Sequence, residues 1–155
     1  MNQVALKAIA LHLHAQGLSP KLPDKTAPIL TFNLAQNIVS ELVVNPIEKK
    51  HWSLSMLTVI DTESSEDLEI FALALAPRVC PLKLATLHQQ LCLQLNIHCT
   101  EKTLKPSLNE AIVLMRHMSG ALFTGALDLS RRQKDLMVVL EQTIEQLAQQ
   151  RLATQ

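Results

Sequence analysis

Leu82-Lys83-Leu84-Ala85-Thr86-Leu87-His88-Gln89-Gln90-Leu91-Cys92-Leu93-Gln94-Leu95 is the most regular stretch of this 155-residue chain. Leu84, Leu87 (with His88 beside it), Leu91 and Leu95 recur at spacings of 3 and 4 residues, which predicts an amphipathic helix with a leucine seam. Ala85, Cys92 and Leu93 widen its apolar face. Pro77 and Pro81, just upstream, end whatever element precedes it.

Working back towards the start, Leu68 and Ile70 alternate with Glu69 and lead into the apolar run to Leu75. Trp52, Leu54 and Met56 alternate with Ser53 and Ser55 before the run to Ile60. These two segments, joined by the polar connector Asp61 to Asp67, predict a hairpin. Further back, Leu30, Phe32 and Leu34 alternate with Thr31, Asn33 and Ala35, then Gln36-Asn37 offers a turn into Ile38 to Val44. The β-branched residues Val39, Val43 and Val44 favour a second hairpin there, against a competing helix from Asn33 to Val44. The chain opens with a helix over residues 3–16, in which Val4, Ala8, Leu11 and Ala15 form one stripe and Leu6, Ile9 and Leu13 its flank. Gly17 stands where a helix commonly stops, before a polar, proline-containing stretch through Pro28.

Downstream of Leu95, Asn109-Glu110 predicts a turn and Ala111 to Met118 a buried strand. A last helix is expected from about Ser130, where Ser130 and Gln133 have capping-box spacing. Its stripe is Leu136, Val139, Leu140, Thr143, Ile144 and Leu147. The expected order is therefore helix, strands, helix, strands, helix, an α+β fold in a single domain over residues 1–155. The alternative is all-α with a helix-turn-helix. Leu84 to Leu95 would be its first helix and Thr100 to Met115 its second, with Lys102 and Lys105 entering a DNA groove. Pro106 opposes that helix by removing a backbone donor.

Apolar residues make up 48% and charged residues 18% of the chain, which excludes a disordered class. Aromatics are only 3%, so the core is built from aliphatic side chains and methionine. Fourteen basic and 14 acidic residues give a net charge of +0, against the basic excess of a nucleic-acid binder. Neutrality also removes a barrier to self-association. Cys80, Cys92 and Cys99 are an odd number without a C-x-x-C pair, which points to reduced thiols in the cytoplasm. His12, His14 and Gln16 interrupt any signal-peptide run at the N-terminus, and no stretch reaches the roughly 20 apolar residues of a membrane span.

Nothing in the sequence supplies a catalyst. A nucleophile elbow, a phosphate-binding glycine loop and a zinc-binding H-E-x-x-H are all missing, and the chain holds three glycines, Gly17, Gly120 and Gly125. Glu63, Glu66, Asp67 and Glu69 read as a solvated loop. His88 and Cys92, near His98 and Cys99, have one ligand-like spacing on the expected helix; a buried thiol beside a solvated imidazole is the commoner arrangement. No enzyme, metal or cofactor is expected.

Five segments together resemble the class I effector chaperones of type III secretion, the Tir-chaperone-like family. Val4 to Gly17 looks like that family's first helix, and Leu68 to Pro77 like the strand that ends in prolines before its central helix. Leu87 to Asn96 is similar to the Leu-rich central helix, Asn109 to Met115 to the following turn and strand, and Leu136 to Leu147 to the closing helix. The resemblance implies a short helix, a twisted antiparallel sheet, a central dimerisation helix, further strands and a C-terminal helix. It implies a homodimer that holds the N-terminal segment of a secreted virulence effector extended and unfolded.

On that reading Leu6, Ile9, Leu13, Leu30, Phe32, Leu54 and Met56 line the client groove, unless they are plain core. Leu84, Leu87, His88, Leu91 and Leu95 form the dimer interface, unless the seam packs on the chain's own sheet. A DNA-binding regulator and an adaptor subunit of a larger secretion apparatus are the alternative functions.

Overall fold

The computed structural model describes residues 2–22, 27–62, 66–132 and 134–154, the side chains of residues 2–4 and 151–154 excepted. Helix α1, Asn2–Ala15, turns inward the flank Leu6, Ile9 and Leu13, while Ala8, Leu11 and Ala15 of the expected stripe stay exposed. Gly17, at φ +80°, ends it. The Gly17 N–H donates to His14 O at 3.0 Å and the Leu18 N–H to Leu13 O at 3.0 Å, the two bonds of a Schellman cap.

Strands β1 (Ile29–Ala35), β2 (Ile38–Glu48) and β3 (His51–Ile60) form an antiparallel meander. The expected Gln36-Asn37 turn is present, with Asn37 at φ 62°. Helix α2, Glu66–Leu75, and one 3-10 turn, Ala76–Arg78, lead to β4 (Lys83–Leu87) and β5 (Gln90–Thr100). The sheet order is β1-β2-β3-β5-β4. Helices α3 (Leu104–Ser130) and α4 (Leu136–Thr154) then form an antiparallel pair.

The fold is α+β with a 5-stranded antiparallel sheet, and the anticipated order of element types holds. Three segments within it differ from expectation. Residues 82–95 are not a helix: Leu87 pairs with Gln90, Ala85 with Cys92, and Leu84 with Leu93 across a hairpin. His88 (φ 49°) and Gln89 (φ 65°) occupy the left-handed conformations that a two-residue hairpin turn requires. Leu68 to Leu75 is not a strand but most of α2, the actual central helix. Leu68, Phe71, Ala72 and Leu75 are buried at helical spacing, and Glu66, Asp67 and Glu69 fill the first turn, where the helix dipole favours acid. Asn109 to Met118 is not turn and strand but the interior of α3, where Leu108, Ala111, Ile112, Met115 and Met118 are buried. The all-α alternative fails because its first helix is this hairpin. Pro106 sits in the first turn of α3, where proline is tolerated.

The expected capping box also fails. Ser130 closes α3, its hydroxyl donating to Leu127 O at 2.9 Å, and Gln133 lies outside the described residues. The core lies between one sheet face and the helices, with Leu30, Phe32, Leu42, Leu54, Met56, Ile60, Leu91 and Leu93 facing Ile9, Leu13, Phe71, Leu108, Met115 and Leu122. Ser40 and Thr58, directly opposed on that face and both fully buried, satisfy each other by a 2.8 Å hydroxyl hydrogen bond. His12 Nε2 and Asn109 Oδ1, 2.7 Å apart, tie α1 to α3.

Candidate partner-binding surfaces

Leu6, Ile9, Leu13, Leu30, Phe32, Leu54 and Met56 belong to the hydrophobic core, none more than 8% exposed. They offer no groove. Each lies on an inward helix face or on the inward positions of a strand, so its apolar character is consumed by the chain's own packing.

The leucine seam is divided by the sheet. Leu84, Leu91 and Leu95 point to the helix-covered side, Leu91 fully buried and the other two partly. Leu87 lies on the opposite side and is 50% exposed, and His88 occupies the turn. Because a strand alternates its side chains, these five residues form no common face.

That opposite side of the sheet is mostly uncovered. The pairings place Val39, Val59, Cys92 and Ala85 in one apolar row across four strands. Alongside run Glu41, Leu57, Gln94 and Lys83, then Val43, Ser55 and Asn96. Except for Cys92, these side chains are partly or fully exposed, whereas Leu42, Leu54, Met56, Thr58, Leu91 and Leu93 on the inward face are buried. A half-buried antiparallel sheet usually carries polar residues outside. Here half the outward row positions are apolar.

Helix α2 is a second surface. Its inner side is filled by Leu68, Phe71, Ala72 and Leu75, yet Ile70 is 52% and Leu73 76% exposed, with Ala74 and Pro77 exposed beside them. A helix apolar all round is normally covered on every side. Helix α2 packs along β4, which is an edge strand of five residues with no further strand beside it among the described residues. The other edge is capped by the chain itself: Lys21 and Thr31 exchange backbone hydrogen bonds of 2.7 and 2.8 Å. The α2 surface was missed in sequence because apolar residues on both sides flatten the helical period. The spacing of Ile70, Leu73, Ala74 and Pro77 was the available sign.

Two of the three thiols lie in the protein interior. Burial pushes the Cys92 and Cys99 thiols above the ordinary thiol range, a backbone hydrogen bond from Leu87 partly opposing this at Cys92. At neutral pH both are therefore protonated and poor nucleophiles. His88 and Cys92, on turn and strand, do not share a helix face, and no group of metal-binding side chains occurs among the described residues. A shallow cleft of about 380 Å³ between α3 and α4 is lined by Gly120, Ala121, Thr124, Gln146, Gln149 and Gln150. No helix among the described residues is long and apolar enough to cross a membrane.

The chain matches no protein-family model, no curated protein and no solved structure.

Proposed function

We propose that this protein is a non-catalytic, cofactor-free chaperone of the type III secretion class. On this reading it works in the cytoplasm as a homodimer and keeps the N-terminal segment of a secreted effector unfolded and ready for export. One observation carries the reading: a small α+β frame leaves two separate apolar surfaces uncovered, the outward stripe of α2 beside β4 and the row of Val39, Val59 and Ala85 on either side of the buried Cys92.

The stripe of α2 suits a second copy of the chain. In a two-fold pair every contact is made twice, so Ile70 and Leu73 together bury four large side chains, each gaining up to roughly 1.5–3 kcal/mol. The dimer surface therefore moves from the leucine seam to α2.

The open sheet face suits an extended client. A polypeptide held flat there places alternate side chains on Val39, Val59 and Leu57 while its backbone remains hydrated or pairs along a strand edge. The ordering entropy of the client opposes binding, so a broad apolar area is needed, which a five-stranded face supplies. No bond is made or broken. Selectivity comes from the spacing of the client's apolar residues and from Glu41 and Lys83 at the flanks of the row.

The test is isolation from the native cell with a mild affinity tag, mass spectrometry of what co-purifies, and limited proteolysis of the complex. The expected outcome is one co-purifying protein whose N-terminal segment alone is protected. A partner held through a folded domain, or no partner at all, sinks the proposal.

A further inference from the structure

The chain's neutrality conceals a separation of charge along β3. That strand begins at His51, beside the turn Lys49-Lys50, and ends at Ile60. Asp61 follows, then Glu66, Asp67 and Glu69 in the first turn of α2. Ten residues of strand set the basic and acidic ends roughly 33 Å apart. At the basic end the β2–β3 turn meets the connection from β5 to α3. The Glu101 N–H donates to Lys50 O at 3.2 Å, and Lys50 Nζ lies 3.7 Å from Glu101 Oε2. That contact brings Lys49 and Lys50 beside Lys102, with Lys105 in the first turn of α3. All four lysines are exposed. Within the two connections, residues 48–51 and 100–105, Glu48 and Glu101 oppose them, leaving an excess of two positive charges. The first turn of α3 holds no acid, so the positive end of a 27-residue helix adds to that field.

An apolar side chain stands among these cations. The β2–β3 register slips between Pro46 and Glu48, so Ile47 has no partner across the pair, and it is 55% exposed. A bulge re-aims a side chain, here away from the core pattern of β2. Trp52, opposite Pro46, is half-buried at the same end. A nucleic-acid backbone would reward the lysines and gain nothing from Ile47. An anionic bilayer rewards both, since lysines meet the headgroups while an aliphatic side chain enters the acyl boundary. We propose that this end of the molecule, Ile47 with Lys49, Lys50, Lys102 and Lys105, docks peripherally on a membrane surface rich in anionic phospholipid. The acidic end is repelled, which holds the first turn of α2 away from the bilayer. Such docking is independent of what α2 or the outward sheet face binds.

The experiment sediments the full chain with vesicles of phosphatidylcholine, alone or mixed with phosphatidylserine, and titrates it in parallel with a fluorescent DNA duplex. Binding is expected to the mixed vesicles only, and it should weaken as salt rises. Lys49→Gln with Lys50→Gln, and separately Lys102→Gln with Lys105→Gln, should lower the partition coefficient roughly 5-fold per lysine. Ile47→Ser should lower it at least ~3-fold while keeping its salt dependence. Arg131→Gln with Arg132→Gln removes the same charge at the far end of α3 and should leave it unchanged. Every substituted side chain is exposed, so each variant is expected to fold, and either lysine pair alone suffices for the test. No binding to the mixed vesicles overturns the proposal. So does an equal loss in the arginine variant, which would reduce the effect to net charge, and so does unchanged binding by Ile47→Ser. Tighter binding to the duplex than to the vesicles would overturn it too, and assign the lysines to a nucleic-acid backbone.

Discussion

At the residue scale, the paired hydroxyls of Ser40 and Thr58 are a polar contact set inside an aliphatic core. Thr58→Val removes one partner and leaves the Ser40 hydroxyl buried and unsatisfied, an expected loss of about 1–3 kcal/mol in denaturant unfolding. Ser40→Ala with Thr58→Val removes both and should recover most of that loss; additive losses would show that the hydroxyls act independently. The thiols give a pH prediction. Burial raises the Cys92 and Cys99 pKa in the folded chain above its value in the unfolded one. The fold therefore binds these protons more tightly, and the resulting stability is complete below the ordinary thiol pKa and lost as pH rises through the raised values. The unfolding midpoint should fall between pH ~8 and pH ~10, and Cys92→Ala with Cys99→Ala should flatten that decline. Both the hydroxyl pair and the thiols lay in the sequence as residue types only. Their opposition across strands and their burial come from register, which no local pattern contains.

At the element scale, the hairpin at residues 82–95 explains how a helical period can mislead. A two-residue turn at His88-Gln89 splits the repeat between strands, and the apolar positions of β4 and β5 mimic spacings of 3 and 4. Asn and Gly accept left-handed turn conformations that His and Gln adopt at a cost of roughly 1–2 kcal/mol each. His88→Asn with Gln89→Gly should therefore raise the melting temperature by at least about 4 °C. In a helix the same pair would be destabilising, so a fall in melting temperature would count against the hairpin. The β1–β2 hairpin and the strand character of β3 were legible because alternation and the Asn37 turn are local features, whereas the partner of β3 was not: it pairs with β2 and β5 and not with residues 68–75. Helix α2 was not, since Ile70 and Leu73 erase the polar face that marks an amphipathic helix. The region from Asn109 to Met118 failed for another reason: a dense apolar run satisfies strand and buried helix alike.

At the scale of the whole molecule, the outward stripe of α2 and the outward sheet face are the surfaces on which the proposed function is tested. Ile70→Asp with Leu73→Asp places two charges on exposed positions of α2, so the protomer should lose no more than about 0.5 kcal/mol in stability per site. On the proposed dimer reading, light scattering should nevertheless report a shift from dimer to monomer, because a second copy would have to desolvate those charges. A variant that still elutes at twice the protomer mass would remove α2 from the interface. Charges on the other surface, Val39→Glu with Val59→Lys, should leave the dimer intact and reduce the yield of co-purified client several-fold. Loss of the dimer instead would merge the two surfaces into one.

Taken alone, the chain's residues determined an aliphatic-cored α+β fold, its opening helix with the Gly17 stop, the first three strands with the turn between the first two, and the closing helical stripe. Each follows from interactions within a few neighbouring residues. Tertiary structure decided which of the apolar segments 68–75 and 82–95 became helix and which became strands, and which apolar side chains stayed outside. The reason is that periodicity records a side chain's preference to leave water, while the surface that receives it is supplied by distant parts of the chain. A strand needs a partner strand and a buried leucine needs a facing one, and both are set only when the sheet and helices close on each other.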